Sequence, residues 1–143
     1  MDDRFDLERF VAAQDDAGNY GRAVSELRRG HKTSHWIWFV FPQIAGLGQS
    51  EMSRRFAISS LEEAQAYLAH GVLSSRLHEC ATILAEQSDR TIEQIFGNVD
   101  ARKLRSSMTM FMRAGPGDAL FPLVLERYFH GAPDGETDDR IRT

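Results

Sequence analysis

Trp36-Ile37-Trp38-Phe39-Val40-Phe41 is the stretch on which the fold class turns. Aromatic and β-branched residues of this kind favour strands. Thr33 and Ser34 stand ahead of it as candidate caps and Pro42 closes it, a frame that suits a short buried helix equally well. Periodicity cannot separate the two in so short a run. The rest of the chain decides, because a strand needs partners and few other strand candidates exist. We therefore read the stretch as helical, near the centre of an all-α, compact multihelical domain of about seven or eight helices.

Working outward, helical signals dominate. Asp6 is placed to cap a first helix carrying Leu7, Phe10, Val11 and Gln14 at i, i+3, i+4 and i+7. Ala17-Gly18 breaks it, and a second helix runs through Tyr20, Ala23, Val24 and Leu27 to a stop at Gly30. Ser60-Leu61-Glu62-Glu63 and Thr91-Ile92-Glu93-Gln94 are capping-box patterns. The first opens a helix through Ala64, Tyr67 and Leu68, which Gly71 ends or kinks; the next carries Leu73, Leu77, Cys80, Ala81 and Leu84 on its inner face. The second box precedes Ile95 and Phe96, with Gly97 as a stop, after which Asp100 starts a helix carrying Leu104, Met108 and Phe111. Gly115-Pro116-Gly117 is a break, and Asp118 opens a last helix with Leu120, Val124 and Tyr128 inward. Residues 1–131 are expected to form one globular unit. The polar stretch 132–143 reads as a flexible, solvated end.

Composition narrows the class further. The chain has 143 residues, 42% hydrophobic and 27% charged, which is ordinary globular usage rather than that of a disordered chain. Seventeen Lys and Arg against 21 Asp and Glu give a net charge of -4, which disfavours a protein that wraps duplex nucleic acid. The single cysteine, Cys80, permits no internal disulfide, and its place on an apolar stripe reads as inert core. The acidic start Met1-Asp2-Asp3-Arg4-Phe5-Asp6 carries no apolar run, so no secretory signal is expected. The longest apolar run, Trp36 to Pro42, is far short of the roughly 18 residues of a membrane span. A cytoplasmic protein with no membrane association is the expectation.

The densest chemistry lies in Arg28-Arg29-Gly30-His31-Lys32-Thr33-Ser34-His35-Trp36-Ile37-Trp38, a basic stretch inside an acidic protein that abuts two Trp. Cations beside a helix start form an anion site, and indole faces can stack a flat ring. The bland alternative makes Trp36 and Trp38 core residues and the cations a wet loop. The following Pro42-Gln43-Ile44-Ala45-Gly46-Leu47-Gly48 loop holds part of a phosphate-cradling pattern without its third glycine. There Gln43 could read a ligand amide or base edge.

A second candidate is Asp100-Ala101-Arg102-Lys103-Leu104-Arg105-Ser106-Ser107. On a helix Asp100, Lys103 and Ser107 share one side and Ser106 lies about 100° away. Lys103 beside hydroxyls suits phosphate; the alternative is serines packed against a neighbouring helix. His31 and His35 have helical i, i+4 spacing but no Glu between them, and no zinc site or other metal centre is expected. No cofactor is expected either.

The blocks Asp6-Leu7-x-Arg9-Phe10-x-x-Ala13-Gln14, Gly30-x-Lys32-x-Ser34-His35-Trp36-Ile37-Trp38-Phe39-x-Phe41-Pro42-Gln43 and Lys103-Leu104-Arg105-Ser106-Ser107-Met108-Thr109 resemble the bacterial domain-of-unknown-function family 1810. The likeness covers about residues 5 to 131. It implies a helical single-domain fold and no particular activity. The calpastatin-like label sometimes attached to that family would imply a disordered inhibitor, at odds with so regular a pattern. A shorter stretch, Glu8-Arg9-Phe10-Val11-Ala12-Ala13-Gln14, resembles NADAR-type domains linked to ADP-ribose and N-glycosidic bonds, although Asp15 stands where those domains carry lysine. That resemblance implies Glu8 as a carboxylate near an oxocarbenium-like centre.

Two function classes follow. In the first, the protein binds an anionic nucleotide-like ligand, ADP-ribose or a related ribosyl compound, with possible hydrolysis of an N-glycosidic or ADP-ribosyl bond. Lys32 and Lys103 bind phosphate, and Ser34, His35, Ser106 and Ser107 are further ligand-binding candidates. Trp36 or Trp38 stacks the ring, Gln43 orients it, and Glu8 or Asp100 is the acid or base. In the second, the chain is a non-enzymatic interaction module with the aromatic segment as core.

Overall fold

The computed structural model describes residues 3–87 and 89–142. They form α1 (Glu8–Asp15), a 3-10 turn (Asp16–Gly18), α2 (Asn19–Arg29), α3 (Ile37–Val40), α4 (Glu51–Arg55), α5 (Leu61–Ala69), α6 (Gly71–Glu86), α7 (Ile92–Ala114), α8 (Leu120–Phe129) and α9 (Gly135–Arg142). The fold is all-α. Among the described residues the β-type pairing is one isolated parallel bridge, Ile44 to Ile58. The strand-like stretch becomes the single turn α3, with Ile37, Phe39 and Val40 buried on it. Phe41 leaves the helix at φ -128° and ψ 73°, as the residue before a proline tends to do.

Local chemistry explains most of the boundaries. Thr91 and Gln94 close a reciprocal capping box on α7: the Thr91 N–H donates to Gln94 Oε1 at 2.8 Å and the Gln94 N–H to Thr91 Oγ1 at 3.1 Å. Ser60 makes half of its box, accepting the Glu63 N–H at 3.1 Å. The Glu63 carboxylate turns instead to the Ser59 N–H and to Arg9. Gly30 ends α2 in the left-handed region at φ 73°, which glycine tolerates without a Cβ clash. Gly71 neither ends nor kinks a helix; it opens α6, whose cap is the His70 imidazole accepting the Leu73 N–H at 3.2 Å.

Several boundaries differ from the sequence reading. Asp6 does not cap α1. It sits at φ 53°, and the Asp3 carboxylate takes the Leu7 and Glu8 N–H groups at 2.7 and 3.0 Å. Gly97 is the stop read from sequence: at φ 78° and ψ 169° it breaks the helical run inside α7, and the second segment resumes just after it, with Asp100 in its first turn rather than at its cap. α4 was not foreseen; Ser50 caps it by accepting the Ser53 N–H at 3.1 Å. Residues 135–142, expected to be a solvated end, form α9. Asp134 nucleates it by accepting the Thr137 N–H at 3.1 Å and the Thr137 hydroxyl at 2.5 Å. Arg113 then clamps Asp138 with two bonds of 2.9 and 3.0 Å, and Thr137 is fully buried. The stretch docks mainly through these polar groups, with Ile141 its lone large apolar side chain packed against the core, so hydrophobicity patterns miss it.

α7 is the spine, packed against α3, α5, α8 and α9. An aromatic chain runs through the core beneath it. Phe10 meets Tyr67 edge-on at 5.2 Å, Tyr67 meets Phe111 at 5.1 Å, and Phe111 meets Phe121 at 5.7 Å. Trp36 lies in a second aromatic group with Phe96, edge-on at 5.8 Å, and Phe41. Among the described residues no helix is long and apolar enough to cross a membrane.

Candidate functional site

The basic segment is built around a carboxylate. Glu26 on α2 is 1% exposed. Its Oε1 accepts the Thr33 N–H at 2.8 Å, the Ser34 N–H at 3.0 Å and the Trp36 indole N–H at 2.9 Å, and its Oε2 accepts the Ser34 hydroxyl at 2.6 Å. Burial alone would raise its pKa. The four donors outweigh burial and hold it down at about 2. Lys32 folds inward beside this hub. Its ammonium donates to the Ser34 carbonyl at 2.6 Å, pairs with Asp100 at 2.7 Å and lies 5.0 Å from the Trp36 ring centre.

This arrangement corrects much of the expected anion site. Lys32 is fully engaged, and Ser34 directs its hydroxyl into the hub. Trp36, 1% exposed, offers no face to a ligand. His35 is exposed outside the network, and Asp100 pairs with Lys32 and stands 3.9 Å from Lys103. The bland reading of this segment is the right one for Trp36, and Glu26, which the sequence reading passed over, is its centre.

A different set of side chains converges. A cleft of about 330 Å3 lies between the glycine-bearing loop, α7 and α9. Gln43, Lys103 and Ser106 line it, joined by Arg102 and Arg105. Leu47 and Val99 supply apolar wall, and Asp134 and Glu136 face the cations. The Arg102 guanidinium is exposed and, among the described residues, has no hydrogen-bond or ion-pair partner. Lys103 is half-buried and its ammonium lies 5.1 Å from the centre of the Trp38 ring. Trp38 therefore lies under Lys103; its indole N–H is buried without a partner. Ser107, expected beside the ligand, is fully buried and its hydroxyl also has no partner. The alternative of serines packed inside the bundle holds for Ser107, whereas Ser106 reaches the cleft.

The loop glycines have steric reasons that do not involve phosphate. At Gly46, with φ +96°, a Cβ would come within 2.3 Å of Arg140 Nη1 on α9. At Gly48 a Cβ would meet Ser53 Oγ at 2.4 Å. α9 thus roofs the cleft. Arg105 ties its approach by donating to the Ala132 and Pro133 carbonyls, each at 2.9 Å, and Ser106 Oγ donates to Asp134 at 3.2 Å. Arg102, Arg105, Asp134 and Glu136 were not singled out from sequence. The Asp134-x-x-Thr137 cap pattern was the available signal for this side of the cleft.

Glu8 lies elsewhere, exposed in the first turn of α1. Around it, Phe10 and Gln14 are buried, and Gln14 donates to the Phe39 carbonyl at 2.7 Å. The stretch that resembles NADAR-type domains is structural here. His78 stands between Ser74 and Asp118 but is no relay. Its Nδ1 lies 2.6 Å from the Ser74 carbonyl, an acceptor, so that nitrogen carries a proton and cannot take one from the Ser74 hydroxyl. Among the described residues no group of three or more His, Cys, Asp and Glu is placed to hold a metal ion.

The fold and cleft define a helical single-domain protein with an arginine- and lysine-lined depression under a C-terminal helix. The chain belongs to the DUF1810 family, "Protein of unknown function (DUF1810)", whose model matches residues 4–141. It is similar to a solved structure, the conserved hypothetical protein Rv1873 from Mycobacterium tuberculosis, at 50% identity over 99% of both chains with a TM-score of 0.95. No curated protein matches it. The family match and this structural likeness do not extend to NADAR-type domains.

Proposed function

We propose that the cleft between the Gly46–Gly48 loop, α7 and α9 binds a small anionic ligand of the nucleotide or ribosyl phosphate class, ADP-ribose among them. The observation that carries this reading is the convergence of Gln43, Lys103 and Ser106 with the unpaired Arg102 in one cavity. An Arg fork and a Lys point charge suit phosphate. Leu47 and Val99 suit a sugar or base face, and the Gln43 amide suits a hydroxyl or base edge. The reading is one of binding. For hydrolysis of an N-glycosidic or ADP-ribosyl bond, Asp100 is already paired and Glu8 lies off the cleft. The interaction-module reading draws little support, because among the described residues Val72, Val99 and Leu123 are the exposed large apolar ones and lone residues of this kind are ordinary.

A thermal-shift screen against ADP-ribose, NAD, mononucleotides and ribose 5-phosphate tests the proposal. Ligand at about 100 times its dissociation constant adds roughly 2.7 kcal/mol, a shift of several degrees. The shift is expected to fall by about half in Arg102→Ala and in Lys103→Ala, as a roughly tenfold loss of affinity gives. A flat screen, or a shift that both variants retain in full, overturns the reading.

A further inference from the structure

A second and larger cavity, of about 640 Å3, opens where the N-terminal turn of α7 meets the C-terminal end of α8. Arg105 lines both it and the cleft. Two more cationic side chains, Arg90 and Arg127, and the His130 imidazole reach this cavity, against Asp89 and Glu93. Among the described residues neither the Arg90 guanidinium nor the His130 imidazole has a hydrogen-bond or ion-pair partner. Arg127 Nε donates to the Gln87 carbonyl at 2.8 Å, which fixes its planar fork at the wall. Arg105 is fixed in the same way through Ala132 and Pro133, with Nη1 uncommitted. Half-buried Tyr128 and Phe129 add ring surface. Arg105 is therefore a rigid cationic post shared by two depressions, each within the roughly 300–1,000 Å3 range of small-ligand sites.

We propose that the two cavities are halves of one binding trough. Its ligand is a pyrophosphate-bridged molecule with a sugar or ring at each end, the bridge lying across Arg105. This deepens the reading of the cleft and rests on it. A cation that faces two cavities favours one ligand with a central dianion over two separate anions. Linking the halves makes the second contact intramolecular and raises its effective concentration. The Arg102 and Lys103 side holds one end, and the Arg90 and His130 side holds the other.

Calorimetric titration of the full chain tests this, with ADP-ribose as the bridged probe and AMP, ribose 5-phosphate and inorganic pyrophosphate as its parts. ADP-ribose is expected to bind once per chain and at least about tenfold more tightly than any part. Arg90→Ala and Arg102→Ala are each expected to weaken it about tenfold, the loss of one charged contact. His130→Asn, which keeps a residue tolerant of the left-handed backbone there, should weaken it too. If Arg102→Ala weakens ADP-ribose while Arg90→Ala and His130→Asn leave it unchanged, the cleft reading stands and the trough is overturned. Two molecules of ADP-ribose per chain overturn it as well. If no probe binds the folded protein, both readings fall.

Discussion

Replacing Glu26 by its amide, Glu26→Gln, isolates the charge at the centre of the basic segment. The amide oxygen can keep the Thr33, Ser34 and Trp36 N–H bonds that Oε1 accepts. The amide nitrogen can donate to the Ser34 hydroxyl, which then rotates. Shape and bond number survive; the charge does not. With a folded pKa of about 2 and an unfolded value near 4.3, linkage gives about 3 kcal/mol at neutral pH as an upper bound. Thr33 is exposed and Ser34 half-buried, so screening brings the expected cost to roughly 1.5 kcal/mol. Because the folded pKa is depressed, this stability is present above the unfolded pKa and is lost as pH falls through the folded one. Urea unfolding of both proteins at pH 7, 5 and 3 measures it. The gap is expected to be full at pH 7 and to have fallen by about half at pH 3, with equal m-values. A gap that is absent at pH 7, or that does not change with pH, refutes the charge-centred account of residues 32–36.

Arg9→Ala leaves Glu63, 2% exposed, with only the Ser59 donors, and a loss of about 3–5 kcal/mol in chemical denaturation is expected. Gly46→Ala forces a positive φ on alanine and drives its Cβ into Arg140; we expect a loss of about 1–3 kcal/mol together with faster hydrogen exchange in residues 135–142. The His78–Asp118 pair, 2.5 Å apart, carries opposite shifts. For His78, burial opposes the change but the bonds to Asp118 and the Ser74 carbonyl raise its pKa; for Asp118, burial opposes but His78 lowers it. Its stabilisation should therefore be complete between about pH 4 and 6.5, fading as pH falls through the Asp118 pKa or rises through that of His78, and His78→Gln should flatten the profile. Cys80 is fully buried, and burial pushes its thiol up to about 12, so a thiol reagent should label it only at the rate of unfolding.

What could be read from the chain was local. The Thr91 capping box, the Gly30 stop and the buried stripe Leu73, Leu77, Cys80, Ala81 and Leu84 depend on residues within a turn or two, and they stand as read. The helical assignment of Trp36 to Phe41 came from a lack of partners rather than from its own composition. What escaped was tertiary and polar. Glu26 sits at i+3 from Ala23 and beside Leu27, on the inward face, but a carboxylate breaks an apolar pattern instead of announcing its four donors. α9 escaped for the same reason, since Asp134, Arg113 and Arg105 dock it with hydrogen bonds and its one large apolar residue, Ile141, makes no periodic pattern. Gln43, Lys103 and Ser106 were named separately; that they share a wall with Arg102, whereas Lys32 and Trp36 turn inward, is decided by packing.

The most direct test of the cleft is an NMR titration of the labelled protein with ADP-ribose. Binding there is expected to shift the amides of residues 46–48, 99–106 and 134–136 and to leave residues 8–14 of α1 unmoved, with Arg102→Ala needing about tenfold more ligand for the same shifts. Shifts confined to other surfaces, or none at saturating ligand, contradict the account.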